Sequence, residues 1–327
     1  MLTKKLMLGA LTLGLTVVGS AQADIFAFDP TGTGSTAINT AAVLDPLPGN
    51  SLAINGAQTL TVGSTTTNLF QANLGTVIDG SPTPTVLYTN GDLGHFFTFV
   101  AGFGESVTSC SGALLGGCSA ASFAVNASQP NFAYMYANTT APGNNLTGTG
   151  FTAGTAILSG EVVSGTSNFT VTAVPGANET PNCPQTNLAL PSTCLDQFGT
   201  NNYPGVQTVS GVGSADIVIR ISSVDSLYFP TLHTGDLITL ALNTSLVDPF
   251  KQVDPSAAFS SNGTTSANTP NNIGTINGVT GPNFQFQSDA NISLTTRPVT
   301  VPEPGSLALL GLALGTMALL SSKRRKS

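Results

Sequence analysis

The sequence predicts an all-β body, an antiparallel β-sandwich, held between two apolar end segments. Three observations lead there. Charged residues make up 8% of the chain and hydrophobic ones 41%; low charge with many β-branched residues is the opposite of a disordered composition. The strong helix formers Glu, Lys and Arg are scarce, which argues against a helical body. Runs with period-two alternation recur between clusters of turn residues, as expected for half-buried strands.

The strand candidates follow in chain order: QTLTVG (58–63), HFFTFVAGF (95–103), NFAYMYAN (131–138), NFTVTAV (168–174), ADIVIRIS (215–222), GDLITLALN (235–243) and FQFQSDANISL (284–294). In the last of these Phe284, Phe286, Ala290, Ile292 and Leu294 share one face. Gln285, Gln287, Asp289, Asn291 and Ser293 share the other. Ile217, Ile219 and Ile221 face away from Asp216, Arg220 and Ser222 in the same manner. HFFTFVAGF is apolar on both sides and is the candidate central strand. APGNN, PGANETPN and SNGTTSANTPNN are the separating clusters. This spacing suits an antiparallel sandwich. The stretch from Ser260 to Thr280 is the candidate mobile loop, or else two short strands with long turns. No repeat period is visible, which argues against a solenoid.

Both ends carry membrane signals. Lys4 and Lys5 precede an apolar run, Leu6 to Val18, and Ala21-Gln22-Ala23 supplies a small-residue cleavage site. This is the pattern of a secretory signal peptide over residues 1–23, with Asp24 as the mature N-terminus. Gly305 to Ser322 holds no charge. As a helix it would run ~27 Å, close to the hydrocarbon thickness of a bilayer. Lys323, Arg324, Arg325 and Lys326 follow at once, and basic residues beside a span stay on the cytoplasmic side. The reading is thus a secreted domain over 24–298, then a tail over 299–327 with a single transmembrane helix at 305–322 and a basic anchor at 323–326.

All sixteen Asp and Glu residues fall in the mature segment, 24 to about 304, against only Arg220, Lys251 and Arg297, so its net charge is −13. Such a body does not attract nucleic acid or anionic lipid, both of which need positive charge. Cys110, Cys118, Cys183 and Cys194 are an even set in an exported chain and read as two disulfides. Of the three pairings, Cys110–Cys118 and Cys183–Cys194 each close a short loop rich in turn residues. Zinc is disfavoured, with no Cys-x-x-Cys and two distant histidines.

No catalytic signature is present: no G-x-S-x-G elbow, S-x-x-K, H-E-x-x-H or Walker A. His95 opens an apolar strand and His233 lies in a turn three residues before Asp236, both more consistent with structure than with catalysis. GTGFTAG at 148–154 is a turn without a following helix. The expectation is therefore no enzyme, no cofactor and no metal. Asp225, Asp236, Asp248, Asp254 and Asp289 remain the carboxylates from which a calcium site would have to be built, since no calcium-loop motif exists. Tyr134, Tyr136, Tyr203 and Tyr228 are the rings that would stack sugars in a carbohydrate-binding adhesin, although Trp is absent. A secreted glycoside hydrolase is the third class, because paired carboxylates can always be proposed.

Pro302-Glu303-Pro304 precedes the apolar span, and two prolines hold that segment extended, the form a processing cleft binds. A Pro-Glu-Pro string, an apolar span and a basic cluster in this order resemble the PEP-CTERM sorting signal over residues 301–326. The resemblance implies recognition by an exosortase, a membrane-embedded cysteine-type transpeptidase or protease of Gram-negative bacteria. It implies an inner-membrane-anchored precursor, loss of the tail, and release or attachment at the cell surface or matrix. FAFDPTGTG (26–34), AGFGESV (101–107), LTGTGFTAGTAILSG (146–160), LDQFGTNNYPGV (195–206), PFKQVDPSAAF (249–259) and GPNFQFQSDAN (281–291) look like the flocculation-associated PEP-CTERM proteins. That likeness implies a non-enzymatic surface protein acting with secreted exopolysaccharide in floc or biofilm formation.

Overall fold

The computed structural model describes residues 24–56, 60–112, 118–126, 131–173, 210–244, 255–265 and 282–295. The expected signal peptide, the apolar span at 305–322, the Pro302-Glu303-Pro304 motif and the Cys183–Cys194 pairing lie outside them. Among the described residues no helix is long and apolar enough to cross a membrane.

Twelve strands form in chain order: β1 (Phe26–Phe28), β2 (Ile38–Pro46), β3 (Gly49–Ile54), β4 (Thr65–Asp79), β5 (Val86–Thr89), β6 (Phe96–Ser111), β7 (Ala120–Val125), β8 (Phe132–Asn138), β9 (Thr155–Ala173), β10 (Ser210–Val224), β11 (Leu237–Asn243) and β12 (Phe284–Leu294). Every pairing among them is antiparallel. β2 and β3 run in line along β4, as one strand kinked at Pro46-Leu47-Pro48. Proline has no N–H to give a ladder, and Leu47 between them still donates to the Asn73 carbonyl at 2.8 Å. β7 and β8 likewise run in line along β6, with β7 on its second half and β8 on its first.

With those two broken strands each taken as one, eight strands follow one another round a closed ring. β2–β3 pairs with β4, β4 with β6, β6 with β7–β8, and β7–β8 with β9. β9 then pairs with β10, β10 with β11, β11 with β12, and β12 returns to β3 and β2. The expected sandwich is thus one sheet closed on itself, whose opposite walls pack as two layers do, in up-and-down order. Closure removes the unpaired sheet edges that invite aggregation.

Strand alternation then fills the interior. Phe70, Ala72 and Leu74 of β4, Phe97, Phe99, Ala101 and Phe103 of β6, and Ile217, Ile219 and Ile221 of β10 all join one buried cluster. Fully burying each large side chain stabilises by about 1.5–3 kcal/mol. The apolar-in, polar-out order is the reverse of a membrane-spanning barrel, which shows its apolar band outward. At one end Phe28 plugs the ring, with its centroid 5.2 Å from Phe97, 5.4 Å from Phe229 and 5.9 Å from Tyr88. β1 delivers Phe28 there, and an isolated bridge joins Asp24 to Leu294, so the first and last described segments of the body lie side by side.

One wall is also covered outside. Residues 139–154 and 255–265 lie over β3, β4, β6 and β8, burying Leu52, Leu69, Phe132 and Phe259 in one patch and Val100, Tyr136 and Phe151 in another. Buried side-chain polar groups clamp them. Gln71 Nε2 donates to Ser256 Oγ (3.0 Å) and to the Ala258 carbonyl (2.8 Å). Gln285 Nε2 donates to the Ser256 carbonyl at 2.7 Å, and the Ser256 N–H donates to Asn50 Oδ1 at 2.9 Å. Asn73 both donates to and accepts from the backbone of Gly143.

Three sequence expectations change. Residues 260–265, read as the start of a mobile loop, are held: Ser260 Oγ donates to the Thr265 carbonyl (3.2 Å) and Gly263 accepts from the Tyr136 hydroxyl (2.5 Å). In QTLTVG, residues 60–63 form a turn in place of a strand, with Ser64 bonded back to Thr61. β2–β3 and β4 carry no clean alternation and were not among the expected strands, because prolines interrupt the first and polar residues on the covered wall break the second.

The clamp fixes a prediction. Gly148 has φ +71°, and a Cβ there would stand 1.9 Å from the Ala258 carbonyl oxygen. Gly148→Ala should therefore destabilise by about 2–4 kcal/mol through strain and lifted contacts, whereas Gly34→Ala, with nothing near its Cβ position, should cost only about 1 kcal/mol for its positive φ. Urea unfolding of both variants checks it; equal midpoints would refute the clamp.

Candidate functional site

Polar side chains are rare inside the ring, and the most unusual is Glu105. It lies on β6, on the face that carries Phe99, Ala101 and Phe103, so alternation alone points it inward. It is 3% exposed. Asn68 of β4 donates Nδ2 to its Oε2, and Ser167 of β9 donates Oγ to its Oε1 at 2.5 Å. Burial raises this carboxyl more than the Ser167 and Asn68 hydrogen bonds lower it, to about 7. A second buried carboxylate, Asp29, behaves in the opposite way. Burial would raise it, but donors from Thr36, Thr31 and Gly34 surround it and hold it at about 2. Tyr228 lies across Gly32 of the same loop, and its carbonyl accepts from the Asp29 N–H at 2.8 Å.

Sequence inspection missed both groups as sites. AGFGESV and FAFDPTGTG were visible as strings, but neither carries a catalytic spacing. Each is explained by packing: Glu105 ties β4, β6 and β9 together, and Asp29 organises the loop behind the Phe28 plug.

The residues singled out from sequence fall as follows. Cys110 and Cys118 form a disulfide with Cα atoms 5.4 Å apart, closing the tip of the β6–β7 hairpin. His95 contributes its carbonyl to the Tyr88 hydroxyl (2.6 Å) and to the Gly91 N–H (2.8 Å). The imidazole of His233 stands 3.7 Å from Asp236, which also accepts the His233 N–H. Asp225 caps a turn by accepting from Leu227 N–H. Asp289 is on the outer face of β12, beside Asp45, whose carboxyl is raised by burial and then by Asp289. Asp248 and Asp254 lie outside the described residues. Among the described residues no three acidic, His or Cys side chains gather as a metal site would require. Tyr136 is buried and stacked on Tyr134 at 6.1 Å, and Gly263 lies against the Tyr134 ring. Those two rings are engaged in holding residues 260–265, while Tyr203 lies outside the described residues.

The fold and its two flanking segments define a class: a disulfide-bearing, closed antiparallel β body joined to a C-terminal processing tail. A family model described as the PEP-CTERM protein-sorting motif matches residues 300–325. That span includes Pro302, Glu303, Pro304, Lys323, Arg324 and Arg325. The chain thus carries a PEP-CTERM sorting motif at its C-terminal end, and the motif implies export, processing by an exosortase and sorting to the cell envelope or surface. No curated protein and no solved structure matches the chain.

Glu105 makes a prediction about pH. Its folded-state value is raised above 4.5, so the stability it contributes is complete below pH 4.5 and is lost as pH rises through about 7. The loss amounts to roughly 3 kcal/mol. Glu105→Gln keeps the shape without the charge and should flatten the stability profile between pH 4.5 and 7. Denaturant unfolding at a series of pH values reads this; a variant with the wild-type slope would contradict it.

Proposed function

We propose that the protein is a non-enzymatic component of the cell surface or extracellular matrix that promotes cell aggregation together with secreted exopolysaccharide. The sorting motif at 300–325 carries the reading, because it delivers the body to the outside of the cell. Two features of the body support it. The outer faces of its strands present many hydroxyls and amides beside a few charges, Asp216, Asp289 and the Arg220–Glu161 pair among them, and such polar groups bond to sugars through many weak contacts summed over many copies. The buried carboxylates Glu105 and Asp29 are consumed by internal hydrogen bonds, as befits a scaffold. The precursor passes through the inner membrane by its tail, and the mature body then remains at the surface or in the matrix.

Processing is directly checkable. The secreted form should begin at Asp24 and end near Pro302–Pro304, and intact mass of the secreted protein decides it. Product in the outer fraction that retains Lys323 to Lys326 would oppose tail removal. Changing Glu303 or its flanking prolines should leave tail-bearing protein in the inner membrane.

The function itself is read by deletion. Loss of the coding region should disperse flocs or thin the biofilm while polysaccharide yield stays unchanged. A deletion strain that aggregates normally would defeat the proposal. So would turnover of a glycan or peptide by the purified protein at about 1 per second or faster, which is enzyme-like.

A further inference from the structure

Both described ends of the body sit at one end of the ring. Asp24 bridges to Leu294, and Leu294 faces Ile238 across β11. Only six residues lie between Thr295 and Pro302, a reach of at most about 25 Å. A membrane or surface that holds the tail therefore holds the body by that end. The opposite end carries the disulfide-closed β6–β7 hairpin and the long β9–β10 hairpin. β9 and β10 stay paired as far as Ala173 and Ser210, beyond the last β10–β11 pair at Ser214 and Asn243.

The outer face of this far end is a regular polar ladder. Ser122 of β7 faces Asn168 of β9, Asn168 faces Ser214 of β10, Ser214 faces Asn243 of β11, and Asn243 faces Asp289 of β12. One row of small polar side chains thus crosses five strands. It lies five residues from Leu294 along β12, about 17 Å from the tail end at strand rise. Asn168 donates Nδ2 to Ser214 Oγ at 2.9 Å, which fixes the orientation of both. The next row, toward the tail, brings Ala124, Thr166 and Asp216 together, and Thr166, Asn168, Ser214 and Asp216 are all exposed.

We infer that the outer face of the β7–β9–β10 ribbon is the surface that contacts the matrix, and that its occupant is an extended neutral polysaccharide. The inference deepens the matrix reading above and rests on it. Three considerations select the occupant. The tether leaves the opposite end, so this face lies on the part of the ring wall remote from the tail. The mature segment, 24 to about 304, carries −13 of net charge, which repels polyanions such as acidic glycans or nucleic acid, while the row itself is mostly uncharged. Neighbouring strands are spaced about 4.8 Å apart, close to the length of one hexose unit, so a glycan lying across the strands sets successive sugars over successive polar side chains. Twist of the sheet limits such matching to a few strands, which fits a ribbon and not the whole ring.

The test uses the secreted, tail-less body and exopolysaccharide purified from the producing culture, with binding read by affinity electrophoresis. The ribbon triple variant Thr166→Ala, Asn168→Ala and Ser214→Ala should bind about tenfold more weakly, the loss expected for a few solvent-facing hydrogen bonds. A control triple at the tail end, Ser222→Ala, Ser226→Ala and Thr234→Ala, should bind as the wild type does. Amide exchange of the unaltered protein with the polymer provides a second readout, with added protection expected at 164–170 and 212–216. A ribbon variant that binds like wild type, a control that loses as much, or protection confined to other strands would overturn the assignment. Failure of the wild type to bind at all would remove the polysaccharide reading itself, and the ribbon site with it.

Discussion

The seam between β12 and the β2–β3 strand is what the rest of the body depends on. Ser288 faces Gly49 and Phe284 faces Ala53, so the ring is closed by residues more than two hundred positions apart in sequence. Closing so long a loop costs chain entropy that is recovered only when the interior fills. The Phe28 plug, the β4–β6 core and the β12 seam must therefore form together, and a topology of this kind folds slowly. The same closure sets the functional geometry. It places Asp24 beside Leu294, and the β9–β10 ribbon at the other end.

The legible parts of the sequence were those where one face meets the core and the other meets water. β10, β11 and β12 are such strands, and Ile217, Ile219 and Ile221 lie inside as their alternation requires. HFFTFVAGF, apolar on both sides, is buried on both sides because residues 139–154 and 255–265 cover its outer wall. β4 was illegible for the same reason. Its outward Gln71 and Asn73 are buried under those residues and bonded to them, so polarity no longer marks the solvent face. β2–β3 was hidden by two prolines that sit at the kink between its halves.

Several of the strings that carried the family likeness acquire physical meaning in the fold. Gly148 of LTGTGFTAGTAILSG fits against the carbonyl of Ala258 in PFKQVDPSAAF, and Gln285 of GPNFQFQSDAN bonds to Ser256 of the same string. FAFDPTGTG supplies the Phe28 plug and the Asp29 loop, and AGFGESV supplies Glu105. None of this was readable from spacing, because each contact joins segments from about thirty to more than a hundred residues apart or depends on a carboxyl being turned inward. The sorting tail was legible because its signal is local: prolines, an apolar run and a basic cluster in one order.

Amide hydrogen exchange on the secreted body tests the closed ring most directly. If the seam is integral, the amides of Phe284–Ser288 and Gly49–Ile54 exchange only through global unfolding, at the same free energy as the β4–β6 core. Exchange of those seam amides at a clearly lower free energy, with β4 and β6 still protected, would show an open sheet and contradict the arrangement on which the position of the tail and the ribbon rests.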